Sequence, residues 1–228
     1  MWLPWAPFTG ALAQAPGTQV PGAQTPGAAE PAEPGAQGGT MPAPRRPEER
    51  DRRQARPPAP TSPAEEAAAR AAELDSLFAR LADRDARDWR EVQARIWRLW
   101  SESGSATIDL LMARAEEALG EGDIELALEF LDDVVRLAPD YAEGWNRRAT
   151  LHFERGELGR AVADIRRTLA LEPRHFGALN GLGMILERTG DEKAAYEAYR
   201  AALEINPHMP GARKAIKRLA PKAEGRTL

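Results

Sequence analysis

Pro139, Pro173 and Pro207 stand 34 residues apart, and the same step links three further sets of positions. Gly122, Gly156 and Gly190 form one set; Ala127, Ala161 and Ala195 form a second; Ala115, Ala149 and Gly183 form a third. Four columns of small or helix-breaking residues that keep one period over three copies constrain the fold more than any other feature of the chain. A repeat of this length is one supersecondary unit, and it buries its apolar face only by stacking on its neighbours.

Each column has a physical task. The glycine ends a first helix in a left-handed conformation that costs glycine nothing. Asp123 and Asp191, with Glu157 in the middle copy, then stand at the start of a second helix, where a carboxylate can accept free N–H groups and face the positive end of the dipole. Gly183 and Ala195 are small because two antiparallel helices cross closely there. Leu131, Ile165 and Tyr199, four residues after each alanine, continue an apolar stripe. The proline cannot continue a helix and closes the unit.

These columns resemble the tetratricopeptide repeat, with copies at 108–141, 142–175 and 176–209. The third copy matches best. The second keeps Trp145 but has Arg148 where the family usually has leucine, and His152 where it usually has tyrosine; the first has Leu111 and Leu131 in place of aromatics. The resemblance implies an all-α solenoid of helical hairpins, a right-handed superhelix. Residues 64–104 read as a degenerate hairpin packing on the first repeat. Its first helix carries Leu74, Leu77, Phe78 and Leu81 on one face, and its second, Arg87–Ser101, carries Trp89, Val92, Ile96, Trp97 and Trp100. The three tryptophans are expected to be core against that repeat, the other reading being an exposed hot-spot patch. At the far end of the 105–220 region, Gly211–Ala220 reads as a cap helix with Ala212, Ala215, Ile216 and Leu219 inward, followed by a tail at 221–228.

Fourteen of the 19 prolines lie in residues 1–63, which lack apolar periodicity and are expected to be disordered. The stretch "RRPEERDRRQAR" reads either as a solvated linker or as a partner-binding arm. Ala11-Leu12-Ala13 resembles the end of a secretory signal, although no Lys or Arg precedes it and Pro4 and Pro7 interrupt the apolar run; the alternative is an Ala-rich disordered terminus. With no cysteine in the chain, export fits, and the expected location is a bacterial periplasm or outside the cell, the alternative being the cytoplasm. No apolar run approaches the ~18 residues a membrane span needs.

No catalytic constellation is present, so the expected role is a non-catalytic protein–protein interaction or scaffold module, with self-association or envelope assembly as the alternative. His175 and His208 follow the closing prolines with no acidic or cysteine partner at ligand spacing, and His152 occupies a packing position. The pairs Glu116-Glu117 and Asp132-Asp133 lie on helices, where neighbours point about 100° apart. No glycine loop cradles phosphate, and no cofactor or metal is expected. The net charge of −4 argues against nucleic acid.

The family resemblance places the partner-binding groove on the first helix of each pair. It implies Asp109, Met112, Glu116 and Leu119 in the first copy, Glu143, Asn146, Thr150, Phe153 and Glu154 in the second, and Gly177, Asn180, Met184, Glu187 and Arg188 in the third. Met112, Leu119, Phe153 and Met184 would grip apolar side chains; Asn146 and Asn180 would pair with a peptide backbone, or else are ordinary polar surface. The Lys/Asn/Arg set that clamps an acidic chaperone C-terminus is missing: of Met112, Glu116, Arg147, Gly177 and Gly181, only Arg147 is basic. The first copy has ten acids against two arginines, the second seven arginines against five acids. That contrast either favours a basic or neutral ligand or holds neighbouring repeats together. Arg213, Lys214, Lys217, Arg218, Lys222 and Arg226 either solvate the cap or meet an anionic surface.

Overall fold

The computed structural model describes residues 62–223. The expectations about the Pro-rich segment, the signal-like start, the charged stretch before residue 62 and the last five residues lie outside the described residues.

Among those residues the chain forms α1 (Pro63–Leu81), α2 (Trp89–Ser101), α3 (Ala106–Glu121), α4 (Ile124–Leu137), α5 (Ala142–Glu154), α6 (Leu158–Leu171), α7 (Phe176–Arg188), α8 (Glu192–Ile205) and α9 (Pro210–Ala223). The pairs α3–α4, α5–α6 and α7–α8 are the three repeats, and α9 stands as the first helix of an incomplete fourth. α9 runs through Pro221 to Ala223, three residues past the expected boundary.

The turn inside each repeat is built identically. Gly122, Gly156 and Gly190 have φ of 82°, 76° and 85°. The next amide then reaches back five residues: Asp123 N–H to Ala118 O at 2.8 Å, Glu157 to His152 at 2.8 Å, Asp191 to Leu186 at 2.9 Å. This is the closure that a left-handed glycine makes available at a helix C-terminus. The carboxylates that follow diverge. Asp123 and Asp191 accept from Leu126 N–H (3.0 Å) and Ala194 N–H (3.1 Å). Glu157, one methylene longer, makes no such cap and instead pairs with His152 Nδ1 at 2.8 Å and Arg155 Nε at 2.9 Å.

The close crossing lies at the expected positions. Ala127, Ala161 and Ala195 are fully buried, and a methyl group added at Gly183 would stand 2.8 Å from the Tyr199 ring. Successive repeats are also tied electrostatically: Arg155 pairs with Glu125, and Arg148 reaches Asp132 at 2.8 Å. The acidic first copy is therefore joined to the arginine-rich second by specific side chains.

The N-terminal hairpin departs from expectation. α1 and α2 form, with Leu74, Leu77, Phe78, Leu81, Val92, Ile96 and Trp100 buried, but their apolar face closes over Phe176 of the third repeat rather than over the first repeat. Trp89 stacks on His208 (centroids 5.0 Å apart), Gln93 Oε1 accepts from Asn206 Nδ2 at 2.8 Å, Trp97 meets Phe176 edge-on at 5.3 Å, and Ser101 O accepts from Tyr141 Oη at 2.9 Å. From its C-terminus backward, α2 thus crosses the entry of α5, then of α7, then of α9. The physical reason is spacing. Ser101 and Trp89 are 12 residues apart, ~18 Å along a helix, which spans two interhelical steps of 8–10 Å. Arg174 reinforces the seat: it pairs with Asp75 at 2.6 Å, and its guanidinium lies 4.3 Å over the Phe78 ring.

Candidate binding face

The first helices α3, α5, α7 and α9 present one face, and α2 covers the N-terminal turns of α5 and α7 on it. Beneath α2 lies a buried polar cluster. His175 caps α7: its Nδ1 accepts the Ala178 N–H at 3.0 Å, so Nε2 carries the hydrogen and donates to Glu143 at 3.1 Å. The imidazole is fully buried and stacks on Trp100, 4.2 Å between centroids and 10° between planes. Glu143, 1% exposed, also takes the Asn146 amide at 3.0 Å and is ion-paired with Arg147. Burial pushes its carboxyl up, but the Arg147 guanidinium, the His175 N–H and the Asn146 amide outweigh that and hold it below the ordinary carboxylate value.

Two of the expected groove residues are therefore not available to a partner. Asn146 is buried, and its amide is committed to Glu143, because an isolated carboxylate there would be far more costly to bury. Met112 is buried in the apolar cluster that joins the first two repeats, beside Ile108, Ala115 and Leu151. Glu143 and Gly177 are likewise taken up by the fold: an added methyl at Gly177 would stand 2.7 Å from Trp97 Cη2. His175, expected in a loop, proves to be the centre of this cluster. The only sequence signal for it is a ring two residues after the first two closing prolines, at Tyr141 and His175, a position taken by Met209 in the third copy.

Beyond the turns that α2 covers, the same helices stay accessible. Glu116, Leu119, Thr150, Phe153, Asn180, Met184 and Glu187 are half-buried, and Arg188 is exposed. They form a continuous face. The Arg188 guanidinium lies 5.6 Å over the Phe153 ring, joining α7 to α5. Asn180 Nδ2 lies 3.7 Å from Met184 Sδ, and Glu187 accepts the Tyr199 hydroxyl at 3.2 Å and pairs with Arg218 of α9. Thr150 is turned inward, donating to Asn146 O at 3.0 Å. On α3, burial raises the Glu116 carboxyl above its ordinary value, with Arg147 pulling it back and Glu143 adding to the rise. This arrangement places apolar side chains, an amide and charged groups together at a surface. Among the described residues no helix is long and apolar enough to cross a membrane.

Comparison with known proteins matches a family model described as tetratricopeptide repeat over residues 112–167 and 146–210. A TPR repeat-containing protein of Rhizobium etli is 42% identical over 150 residues, covering 65% of this chain and 74% of that one. The small glutamine-rich tetratricopeptide repeat-containing protein 2 of Saccharomyces cerevisiae is 28% identical over 105 residues, 46% of this chain and 30% of its own length. Among solved structures, the first TPR of Spaghetti (RPAP3) bound to an HSP90 peptide superposes with a TM-score of 0.49 at 16% identity, covering 51% of this chain and 93% of that one.

Proposed function

The chain belongs to the tetratricopeptide-repeat family, whose members generally mediate protein–protein interactions, and from that premise we propose that it binds an extended segment of a partner protein along the accessible part of the face formed by α3, α5 and α7. The observation that carries this reading is the division of the first-helix face. α2 lies over the entry turns, where Glu143 and Asn146 are buried, and leaves Phe153, Asn180, Met184 and Arg188 accessible side by side. The open strip combines two grips for apolar side chains, an amide able to read a backbone and a guanidinium, a mixture suited to protein recognition. The protein acts here as a non-catalytic adaptor: it presents a surface and performs no bond chemistry.

The test is an NMR titration of 15N-labelled protein with peptides selected from a random library. Shifts are expected to concentrate on Thr150, Phe153, Asn180, Met184 and Arg188. Shifts confined to the outer second helices α4, α6 and α8 would refute the assignment of the face.

A further inference from the structure

The open strip is electrically polarised along its length. At the first-repeat end it carries Glu116 and, at the next helix, exposed Glu154. At the other end Arg188 and Lys214 are exposed, and Lys214 occupies on α9 the position that Asn180 occupies on α7, one 34-residue step earlier. Glu187, next to Arg188, is ion-paired with Arg218. Among the described residues Lys214 makes no ion pair, and α9 carries no acidic residue at all. Between these ends lie the apolar Phe153 and Met184, with the Asn180 amide beside Met184 and the Arg188 guanidinium over the Phe153 ring.

Resting on the groove reading above, we propose that the partner segment is itself bipolar, with basic side chains over α3 and α5, apolar side chains over Phe153 and Met184, and acidic side chains over Arg188 and Lys214. Four helices at 8–10 Å make a strip of ~27 Å, which an extended chain rising ~3.3 Å per residue crosses in about eight or nine residues. The charges of a short peptide of this kind reach both ends at once, so its affinity depends on where its charges lie as well as on how many it has. α2 bounds the strip on one side and keeps the segment from sliding toward the helix entries.

The experiment uses fluorescence anisotropy with the full chain and three labelled peptides of about nine residues that share a leucine–phenylalanine centre. One has two lysines at one end and two glutamates at the other; one has glutamine at all four places; one has lysine at all four. The bipolar peptide is expected to bind about tenfold more tightly than the glutamine peptide in low salt, and the advantage should vanish near 1 M salt, where the Debye length is about 3 Å. In Arg188→Glu/Lys214→Glu, which reverses the charge at one end of the strip, the preference should pass from the bipolar peptide to the all-lysine peptide. Equal binding of the bipolar and glutamine peptides overturns the polarity and leaves the groove reading standing. No binding of any peptide to folded protein overturns both.

Discussion

Arg148 and Asp164 offer the sharpest test of how this array is held together. Asp164 is 3% exposed and accepts two hydrogen bonds from one guanidinium, Arg148 Nε and Nη2, each at 2.8 Å. Arg148 Nη1 donates to Asp132 of the preceding repeat at 2.8 Å, and the guanidinium lies 4.9 Å over the Trp145 ring. These hydrogen bonds hold Arg148 above its ordinary value despite partial burial. One 34-residue step later the same two positions are Leu182 and Ala198, both apolar, so the third repeat is an internal control. Arg148→Leu removes the partner of a buried carboxylate; His152 Nε2, 3.8 Å away, is too distant for a full hydrogen bond, so the expected cost is about 3–5 kcal/mol. Asp164→Ala costs less, about 2 kcal/mol, because Arg148 keeps Asp132. The lost Arg148–Asp132 pair is itself a small contribution, since the Asp132 side chain is 63% exposed. The double variant Arg148→Leu/Asp164→Ala recreates the apolar contact of the third repeat and should return to within about 1 kcal/mol of the parent. Urea denaturation followed by far-UV circular dichroism measures all four proteins. A double variant destabilised by the sum of the single effects, about 5–7 kcal/mol, would refute the reasoning, because the two residues would then act independently.

Trp100→Ala removes the ring stacked on His175 and should cost about 3–5 kcal/mol; hydrogen exchange should show α1 and α2 losing protection while α5–α8 keep theirs. Gly183→Ala forces a methyl against the Tyr199 ring and should lower stability by about 1–3 kcal/mol in thermal melts, with part of the loss recovered by Tyr199→Leu; a neutral Gly183→Ala would show the crossing to be looser than the geometry requires. Glu143 has a folded carboxyl held below its unfolded value, so its contribution is complete above the unfolded value, near 4.3, and is lost as pH falls through the lower folded one. The slope of stability against pH below about 4.5 should therefore be shallower in Glu143→Gln than in the parent, and equal slopes would contradict the assignment.

The sequence pattern placed Phe153, Asn180, Met184 and Arg188 on one helix face, since each follows from its place in a 34-residue step, and the structure leaves all four at least partly accessible. The same step could not tell Asn146 from Asn180. Both occupy one column, yet Asn146 is buried and Asn180 is accessible, because Glu143 lies one turn before the first and Gly177 one turn before the second. A carboxylate buried under α2 recruits its neighbouring amide; a glycine makes no such demand.

What the sequence determined by itself is everything local or periodic: the helices, the left-handed glycine turns, the aspartate caps, the close crossing at Gly183 and Ala195, and the stacking of identical units. Those features depend on residues a few positions apart, or on one contact repeated three times, and periodicity records both. Only the tertiary structure decided where the first two helices sit. Four residues link α2 to α3, and chain adjacency suggested the first repeat. The seat is instead chosen by Phe176, His175 and Asn206, positions that no repeat column marks as a binding surface. Trp89, Trp97 and Trp100 read as core because of their shared helical face; which part of the array completes that core is set by side chains far away in the sequence.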